Sequence, residues 1–222
     1  MIAESRLKGV YELRGKRTRL LTLNICPGKT VYDESLIRKD GKEYRDWNPR
    51  KSKLAAAILK GLSQMGIKEG YTVLYLGAAS GTTVSHVSDI VRKNGLVFAV
   101  EFSLRPVRDL VFLAEERKNI APIYGDGQNI VSLQQRISMV DCVYQDIAQK
   151  HQAEIFLNNC SHFLKDDGFG ILCVKARSID VTKKPSLVFK EVRRKLEEKM
   201  TIVDMRTLEP FEIDHCLFVV KK

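Results

Sequence analysis

The sequence predicts an α/β protein in which a doubly wound, mostly parallel sheet follows a small antiparallel β appendage. From about residue 72 onward, short apolar runs alternate with segments of helical periodicity, the pattern of βα units. Residues 1–50 instead carry turn and hairpin signals. At 222 residues and 44% hydrophobic composition, the chain has room for one full domain and a small addition. We therefore predict two domains, a small N-terminal β domain of residues 1–50 and an α/β domain of residues 51–222.

The first βα unit organises the larger part. Residues 73–76 form an apolar run typical of a buried parallel strand, and the small residues Gly77, Ala78, Ala79, Ser80 and Gly81 follow it. A helix is predicted over 82–91. Further strands are expected at 96–100, 121–124, 139–144, 169–174, 201–207 and 216–220. Helices are expected at 105–117, 153–164 and 187–199, with a turn at 166–168.

The N-terminal part is predicted to contain strands at 10–13 and 20–25 and a hairpin around Asp40-Gly41. Asn48 suits a helix N-cap and Pro49 the first helical position. That helix presents the apolar residues Leu54, Ile58, Leu62 and Met65. Its first turn would carry Arg50, Lys51 and Lys53, and cations at that end oppose the helix dipole. They would either hold an anion or a catalytic carboxylate, or be ordinary solvated charges.

The composition of the chain limits the classes of partner, metal site and cellular location that we expect. The net charge of +10 favours nucleic acid as partner, with a membrane surface second and a merely basic surface as the alternative. The five cysteines include no Cys-x-x-Cys pair, so we expect reduced thiols. The four histidines lack metal-ligand spacing, and no metal is predicted. The polar N-terminus and the absence of a long apolar run predict a cytoplasmic protein.

Polar residues close four predicted strands: Glu101, Asp126, Asp146 and Lys175. The carboxyl edge of such a sheet is where ligands bind. The dinucleotide fingerprint G-x-G-x-x-G is absent, which disfavours a dehydrogenase and favours a smaller nucleoside ligand; S-adenosylmethionine fits. Glu101 would accept from the ribose hydroxyls and Asp126 from the adenine amino group. The turn that begins at Gly77 and Ala78 would admit the methionine portion, and Asp146 would lie near the methyl.

Several stretches together resemble fibrillarin, the RNA 2′-O-methyltransferase. They are NPRKSKLAAAI from Asn48, VLYLGAASGTTVSHVSDIV from Val73, VEFS from Val100, DIAQ from Asp146, VKARSID from Val174 and EPF-x-x-DH from Glu209. The resemblance covers nearly the whole chain and is closest to the archaeal form, which lacks a Gly/Arg-rich tail. It implies a seven-stranded Rossmann-like methyltransferase sheet. One departure is Gly127, where the family more often has alanine.

The resemblance also implies residue roles. S-adenosylmethionine would contact Thr82, Thr83, Glu101, Phe102, Asp126, Gly127, Asp146, Ile147, Ala148 and Gln149. The catalytic set would be Lys53, Asp146, Lys175 and His215. The implied partners are C/D box guide RNA with its target RNA, a Nop-domain scaffold protein and a kink-turn-binding ribosomal-type protein.

The chemistry of ribose methylation agrees with these roles. A neutral Lys175 amine can take the proton of the 2′-hydroxyl. Like-charge repulsion from Lys53 would favour that neutral form, whereas Asp146 would favour the charged form, so the protonation states belong to the group as a whole. His215 would orient a partner or the target; without the resemblance, it reads as a histidine satisfied by the backbone. The alternatives are a stand-alone RNA or protein methyltransferase and a non-catalytic RNA-binding subunit.

Overall fold

The computed structural model describes residues 1–222 and contains two sheets. The N-terminal sheet is antiparallel, in the order β1-β2-β3-β5-β4. Its strands are β1 (Ile2–Glu4), β2 (Val10–Leu13), β3 (Arg19–Leu23), β4 (Leu36–Lys39) and β5 (Lys42–Trp47). The predicted β appendage is therefore confirmed. Asp40 and Gly41 form the expected hairpin turn with φ of 49° and 70°. The three-residue β1 was missed because so short a strand has no readable alternation.

The larger sheet has seven strands in the order β11-β12-β10-β9-β6-β7-β8. All pairings are parallel except those of β12, which runs antiparallel to both β10 and β11. The strands are β6 (Thr72–Leu76), β7 (Leu96–Glu101), β8 (Ile120–Tyr124), β9 (Val140–Gln145), β10 (Leu164–Lys175), β11 (Thr201–Thr207) and β12 (His215–Lys221). The predicted doubly wound fold and all seven predicted strands are confirmed.

The helices are α1 (Lys53–Leu59), α2 (Thr82–Val91), α3 (Leu104–Glu116), α4 (Ile130–Gln134), α5 (Gln152–Phe163), α6 (Ala176–Ile179) and α7 (Pro185–Glu197). The short helices α4 and α6 were not predicted, since five and four residues are too few to show helical periodicity. The expected turn at 166–168 lies within β10, where the pairing with β9 shifts register between Leu164 and Phe169.

The first helix begins later than predicted. Asn48 does not cap it, because its side chain accepts from the backbone N–H of Arg50 in a local turn. Ser52 is the N-cap and Lys53 the first helical residue. Of the three cations placed in the first turn, only Lys53 is therefore in the helix. The helix ends at Leu59, so Leu62 and Met65 are buried from the following loop.

The two sheets share one core around α2. Every residue of this helix from Thr83 to Val91 is buried. One side of the large sheet packs into a 31-residue apolar cluster that also contains Leu7, Val10, Leu20 and Trp47 of the N-terminal part. The boundary at residue 50 stays a prediction, but this shared core joins the parts on either side of it.

A buried network of charges crosses the same contact. The Asp89 carboxylate, from α2, accepts from Nη1 of Arg45 at 2.9 Å and from Nη1 of Arg117 at 2.7 Å. Arg45 also donates to Glu34, and all four side chains are almost fully buried. Burial raises the pKa of the Glu34 carboxyl, but the Arg45 charge and backbone N–H groups outweigh it and lower that pKa overall. The two positive and two negative charges balance, which makes their burial tolerable.

The five cysteines are free thiols, and four of them are buried. No helix combines the length and the apolar character that crossing a membrane requires.

Candidate active site

A cleft of about 400 Å³ opens at the carboxyl edge of the large sheet, over the ends of β6, β7, β8 and β9. Nine of the predicted cofactor residues line it: Gly77, Glu101, Phe102, Asp126, Gly127, Asp146, Ile147, Ala148 and Gln149. The other three, Ala78, Thr82 and Thr83, lie in or just after the β6–α2 turn without lining the cleft. Parallel strands bring these segments together because their carboxyl ends share one edge.

Glycine is required at two positions of the β6–α2 turn. Gly77 has φ of 81°, and a Cβ there would lie 2.3 Å from the backbone oxygen of Asp146. Gly81 has φ of 96°, and its Cβ would strike the Leu113 side chain. Neither site has room for a side chain, and both backbones are left-handed. The glycines therefore let the turn pack against the β9 loop and α3 while it forms one wall of the cleft.

Glu101 ends β7 with its carboxylate at the cleft. Oε2 accepts from the backbone N–H of Ala79 at 2.8 Å, and Oε1 accepts from that of Ser103 at 2.8 Å. These two bonds fix the carboxylate between the β6 turn and the start of α3. Each carboxylate oxygen has a second lone pair, so both remain able to accept from a ligand diol.

Asp126 and Gly127 form the opposite wall. Oδ1 of Asp126 accepts from the Gln128 N–H at 2.9 Å, which closes the loop after β8. The Gly127 carbonyl accepts from Nδ2 of the buried Asn159 on α5 at 2.8 Å. The loop that contains Gly127 is thus anchored by a neighbouring helix, and the Asp126 carboxylate lies in the cleft lining.

Lys53 and Asp146 form an ion pair at the end of the cleft. Nζ of Lys53 lies 2.7 Å from Oδ1 and 2.9 Å from Oδ2 of Asp146, and both side chains are 21% exposed. Burial lowers the pKa of the lysine, but the Asp146 charge and hydrogen bond exceed that effect and raise it. The Lys53 charge is thus compensated by Asp146, and the expected repulsion of a second ammonium stays a prediction.

Lys175 and His215 occupy paired positions on β10 and β12. Lys175 is exposed, and its ammonium has neither a hydrogen bond nor an ion pair within the chain. Nδ1 of the largely buried His215 lies 2.6 Å from the Ile213 carbonyl oxygen. Since a carbonyl only accepts, the proton is on Nδ1. Strand order thus brings Asp146, Lys175 and His215 to one edge on three adjacent strands, and Lys53 reaches that edge from α1.

Gln152 was not predicted from the sequence. It is fully buried, its Nε2 donates to the Gln149 carbonyl at 2.8 Å, and its Oε1 accepts from the Lys175 N–H at 3.2 Å. One amide therefore connects the cleft loop after β9 to the end of β10. No sequence signal could have found it, because a glutamine at the start of a helix is common and its partners are distant in the chain.

The strand order, with one antiparallel strand inserted beside β10, and the acidic cleft at the carboxyl edge define the fold class of S-adenosylmethionine-dependent methyltransferases. An S-adenosylmethionine-dependent methyltransferase from Aquifex aeolicus shares this fold with a TM-score of 0.53 at 18% identity, over 79% of this chain and 89% of that one.

Within that class, the fibrillarin family model matches residues 1–222, and the chain belongs to the fibrillarin family. It is 51% identical to a fibrillarin-like rRNA/tRNA 2′-O-methyltransferase of Thermococcus onnurineus, covering 100% of this chain and 99% of the relative. The resemblance predicted from the motifs is confirmed.

Solved structures of fibrillarins agree along the whole chain. The Methanococcus jannaschii fibrillarin superposes with a TM-score of 0.95 at 47% identity, covering 100% of this chain and 96% of that one. An Aeropyrum pernix fibrillarin with natively bound S-adenosyl-L-methionine gives 0.91 at 42%, covering 99% and 97%. A fibrillarin from a complex with Nop5p gives 0.87 at 42%, covering 98% and 99%.

Proposed function

We propose that this protein transfers the methyl group of S-adenosylmethionine to ribose 2′-hydroxyls of rRNA and tRNA, at nucleotides selected by a C/D box guide RNA. The observation that carries the proposal is the Lys53–Asp146 ion pair at the end of an acidic cleft lined by Glu101 and Asp126. The full-length similarity to a relative named rRNA/tRNA 2′-O-methyltransferase supports the choice of substrate.

The cleft suits the cofactor in size and chemistry. Its volume of about 400 Å³ is within the range of small-molecule sites. Glu101 offers two acceptor oxygens for the ribose diol, and Asp126 offers one for the adenine amino group. The exposed aromatic ring of Phe102 lies at the lining for contact with the base. The small residues Gly77 and Ala79 of the β6–α2 turn line the cleft where the methionine portion would lie. Thr82 and Thr83 would contribute through backbone N–H groups, since they follow this turn.

The reaction needs alignment and one proton transfer. When bound, the cofactor supplies an activated methyl group on a sulfonium. The ribose oxygen forms a bond to that carbon while the carbon–sulfur bond breaks, and the electron pair leaves with neutral sulfur. A neutral Lys175 amine accepts the hydroxyl proton. The Lys53–Asp146 ion pair fixes the edge of the cleft, and the bond from Nδ1 of His215 to the Ile213 carbonyl orients the imidazole at the same edge. Alignment of this kind can supply a large part of the rate enhancement.

RNA recognition by the isolated chain is proposed to be weak. Several surface cations are paired with acids: Arg14 with Glu12, Arg19 with Asp46, Lys183 with Glu191, and Lys195 with Glu154. Paired surface cations attract phosphates less than free ones do. A Nop-domain scaffold and a kink-turn-binding ribosomal-type protein would therefore position the guide and its target RNA. The relative solved with Nop5p supports the first of these partners.

The decisive test is methyl transfer from labelled cofactor to RNA, with and without the guide complex, followed by mapping of the modified atom. We expect site-specific 2′-O-methylation only in the assembled complex, and weak, salt-dependent RNA binding by the chain alone. Strong site-specific methylation by the purified chain would establish a stand-alone enzyme instead. Absence of transfer even in the complete complex would indicate a non-catalytic subunit.

Glu101 provides a test of the cofactor site. Glu101→Ala removes the acceptors for the ribose diol, so cofactor binding should weaken by roughly 1.5–3 kcal/mol, the range for hydrogen bonds to charged groups. Titration calorimetry measures the loss, and circular dichroism checks that the variant is folded. Glu115→Ala, an exposed position on α3 outside the cleft, is the matched control. Unchanged affinity in folded Glu101→Ala would refute the assignment.

A further inference from the structure

Two helices that carry different parts of the proposed site begin side by side. Ser52 is the N-cap of α1, whose first residue is Lys53. Thr83 is the second residue of α2, directly after the glycine turn that walls the cleft. The Thr83 hydroxyl donates to Oγ of Ser52 at 3.1 Å, and both residues are buried, with exposures of 9% and 3%. This bond joins the two helix starts.

The Ser52 side chain in turn holds the first turn of α1. Its Oγ accepts from the Ala55 N–H at 3.4 Å, and its carbonyl accepts from the Ala56 N–H at 3.0 Å. The next helical residues, Leu54 to Ala57, are fully buried and anchor α1 in the core, so the direction of Lys53 is decided in the first turn. The orientation of Ser52 therefore sets where the Lys53 side chain leaves the helix.

Lys53 depends on this support. A cation in the first turn opposes the helix dipole, and the side chain is held in place by the ion pair with Asp146 on the neighbouring β9 loop. A small rotation of α1 would lengthen both Nζ–carboxylate distances, 2.7 and 2.9 Å. Misplacement of about 1 Å in a catalytic group can cost up to about 10²-fold in rate.

We propose that Thr83 is a positioning residue that acts through Ser52 on Lys53. It would keep the β6–α2 turn and the Lys53 side chain in a fixed position relative to each other. The Thr83 hydroxyl has a single hydrogen, and it lies between Ser52 and the buried Tyr75 side chain, so that hydrogen is used within the chain and not for the cofactor. The Thr83 side chain thus serves the Lys53–Asp146 pair, while its backbone N–H is free to serve the cofactor. This inference rests on the proposed methyl transfer for its rate measurement.

The test is Thr83→Val, which removes the hydroxyl and keeps the shape and the backbone. In single-turnover methylation by the assembled guide complex, we expect transfer to slow by about tenfold, with cofactor Kd changed by less than about twofold. Thr83→Ser retains the hydroxyl and should restore most of the rate. If the valine only destabilised the fold, the melting temperature would fall. The slower transfer at unchanged cofactor Kd, and its recovery in Thr83→Ser, would then not be observed.

A double-mutant cycle tests whether Thr83 affects the rate through Lys53. If Thr83 acts through Lys53, Thr83→Val should change the rate little in a Lys53→Ala background. An equal slowing in both backgrounds would overturn the proposal, and so would cofactor binding weakened by about tenfold or more in Thr83→Val, which would make the side chain a cofactor ligand. If Thr83→Val does not fold, Ser52→Ala tests the same bond from the other side. An inactive wild-type complex would count against the proposed function, not against this link.

Discussion

Asp89→Asn is expected to lower the free energy of unfolding by about 3–5 kcal/mol, the usual cost of removing one partner from a buried ion pair. The carboxylate accepts from Arg45, Arg117, the Thr22 hydroxyl at 2.8 Å and the Ile25 N–H at 3.2 Å. An amide cannot replace the negative charge between two guanidinium groups, and the Arg45 and Arg117 side chains are almost fully buried. The surplus positive charge would remain in the core of the contact between the two sheets.

Denaturant unfolding measures this effect with two probes. Trp47, the single tryptophan, is buried in the N-terminal sheet and stacks on His86 with ring centroids 4.9 Å apart, so its fluorescence reports the contact. Far-ultraviolet circular dichroism reports the whole fold. The shared core predicts that both transitions coincide in the wild type; separate transitions would show that residues 1–50 unfold as an independent domain.

The control is Glu197→Gln, which removes an exposed i,i+4 pair with Arg193. Such surface pairs contribute about 0.3–0.5 kcal/mol, so this variant should unfold close to wild type. A loss below about 1 kcal/mol in Asp89→Asn would contradict the importance of the buried network.

Lys175→Ala is expected to slow methyl transfer by roughly 10²-fold or more, the scale of general acid–base catalysis. Lys175 has no carboxylate partner in the chain, so its substitution leaves no buried charge unpaired and should affect the reaction rather than the fold. Cofactor affinity should barely change, because Glu101 and Asp126 line the opposite part of the edge. The measurement is single-turnover methylation in the assembled guide complex.

Lys175→Arg separates proton transfer from charge. Arginine stays protonated and cannot accept a proton, so it should not rescue the rate if Lys175 is the base. Near-normal rates in Lys175→Arg would rule out the base and leave an electrostatic role. Lys118→Ala, an exposed lysine just before β8 at the opposite edge of the sheet, is the matched control.

The alternation of apolar runs and helical segments was enough to predict the seven strands of the large sheet, because a strand buried on both faces must be apolar and each must end near a turn. The placing of Glu101, Asp126, Asp146 and Lys175 at one edge followed from the same reasoning, since parallel strands end on the same side. The motifs of the chain also predicted the family. These features depend on residues that are adjacent in sequence or on general rules of sheet topology.

Only the tertiary structure showed which side chains form hydrogen bonds and ion pairs across distant parts of the chain. Asn48 and Ser52 are both good N-caps, but the Asn48 side chain closes a local turn with Arg50 while Ser52 caps α1 and bonds to the distant Thr83. The sequence predicted that Lys53 would hold an anion or a catalytic carboxylate, or be a solvated charge, and packing of α1 paired it with Asp146, 93 residues away. Gln152 and the Asp89 network likewise join residues that no local pattern relates. Hydrogen bonds and ion pairs between distant segments depend on how helices and loops pack, which short-range periodicity does not encode.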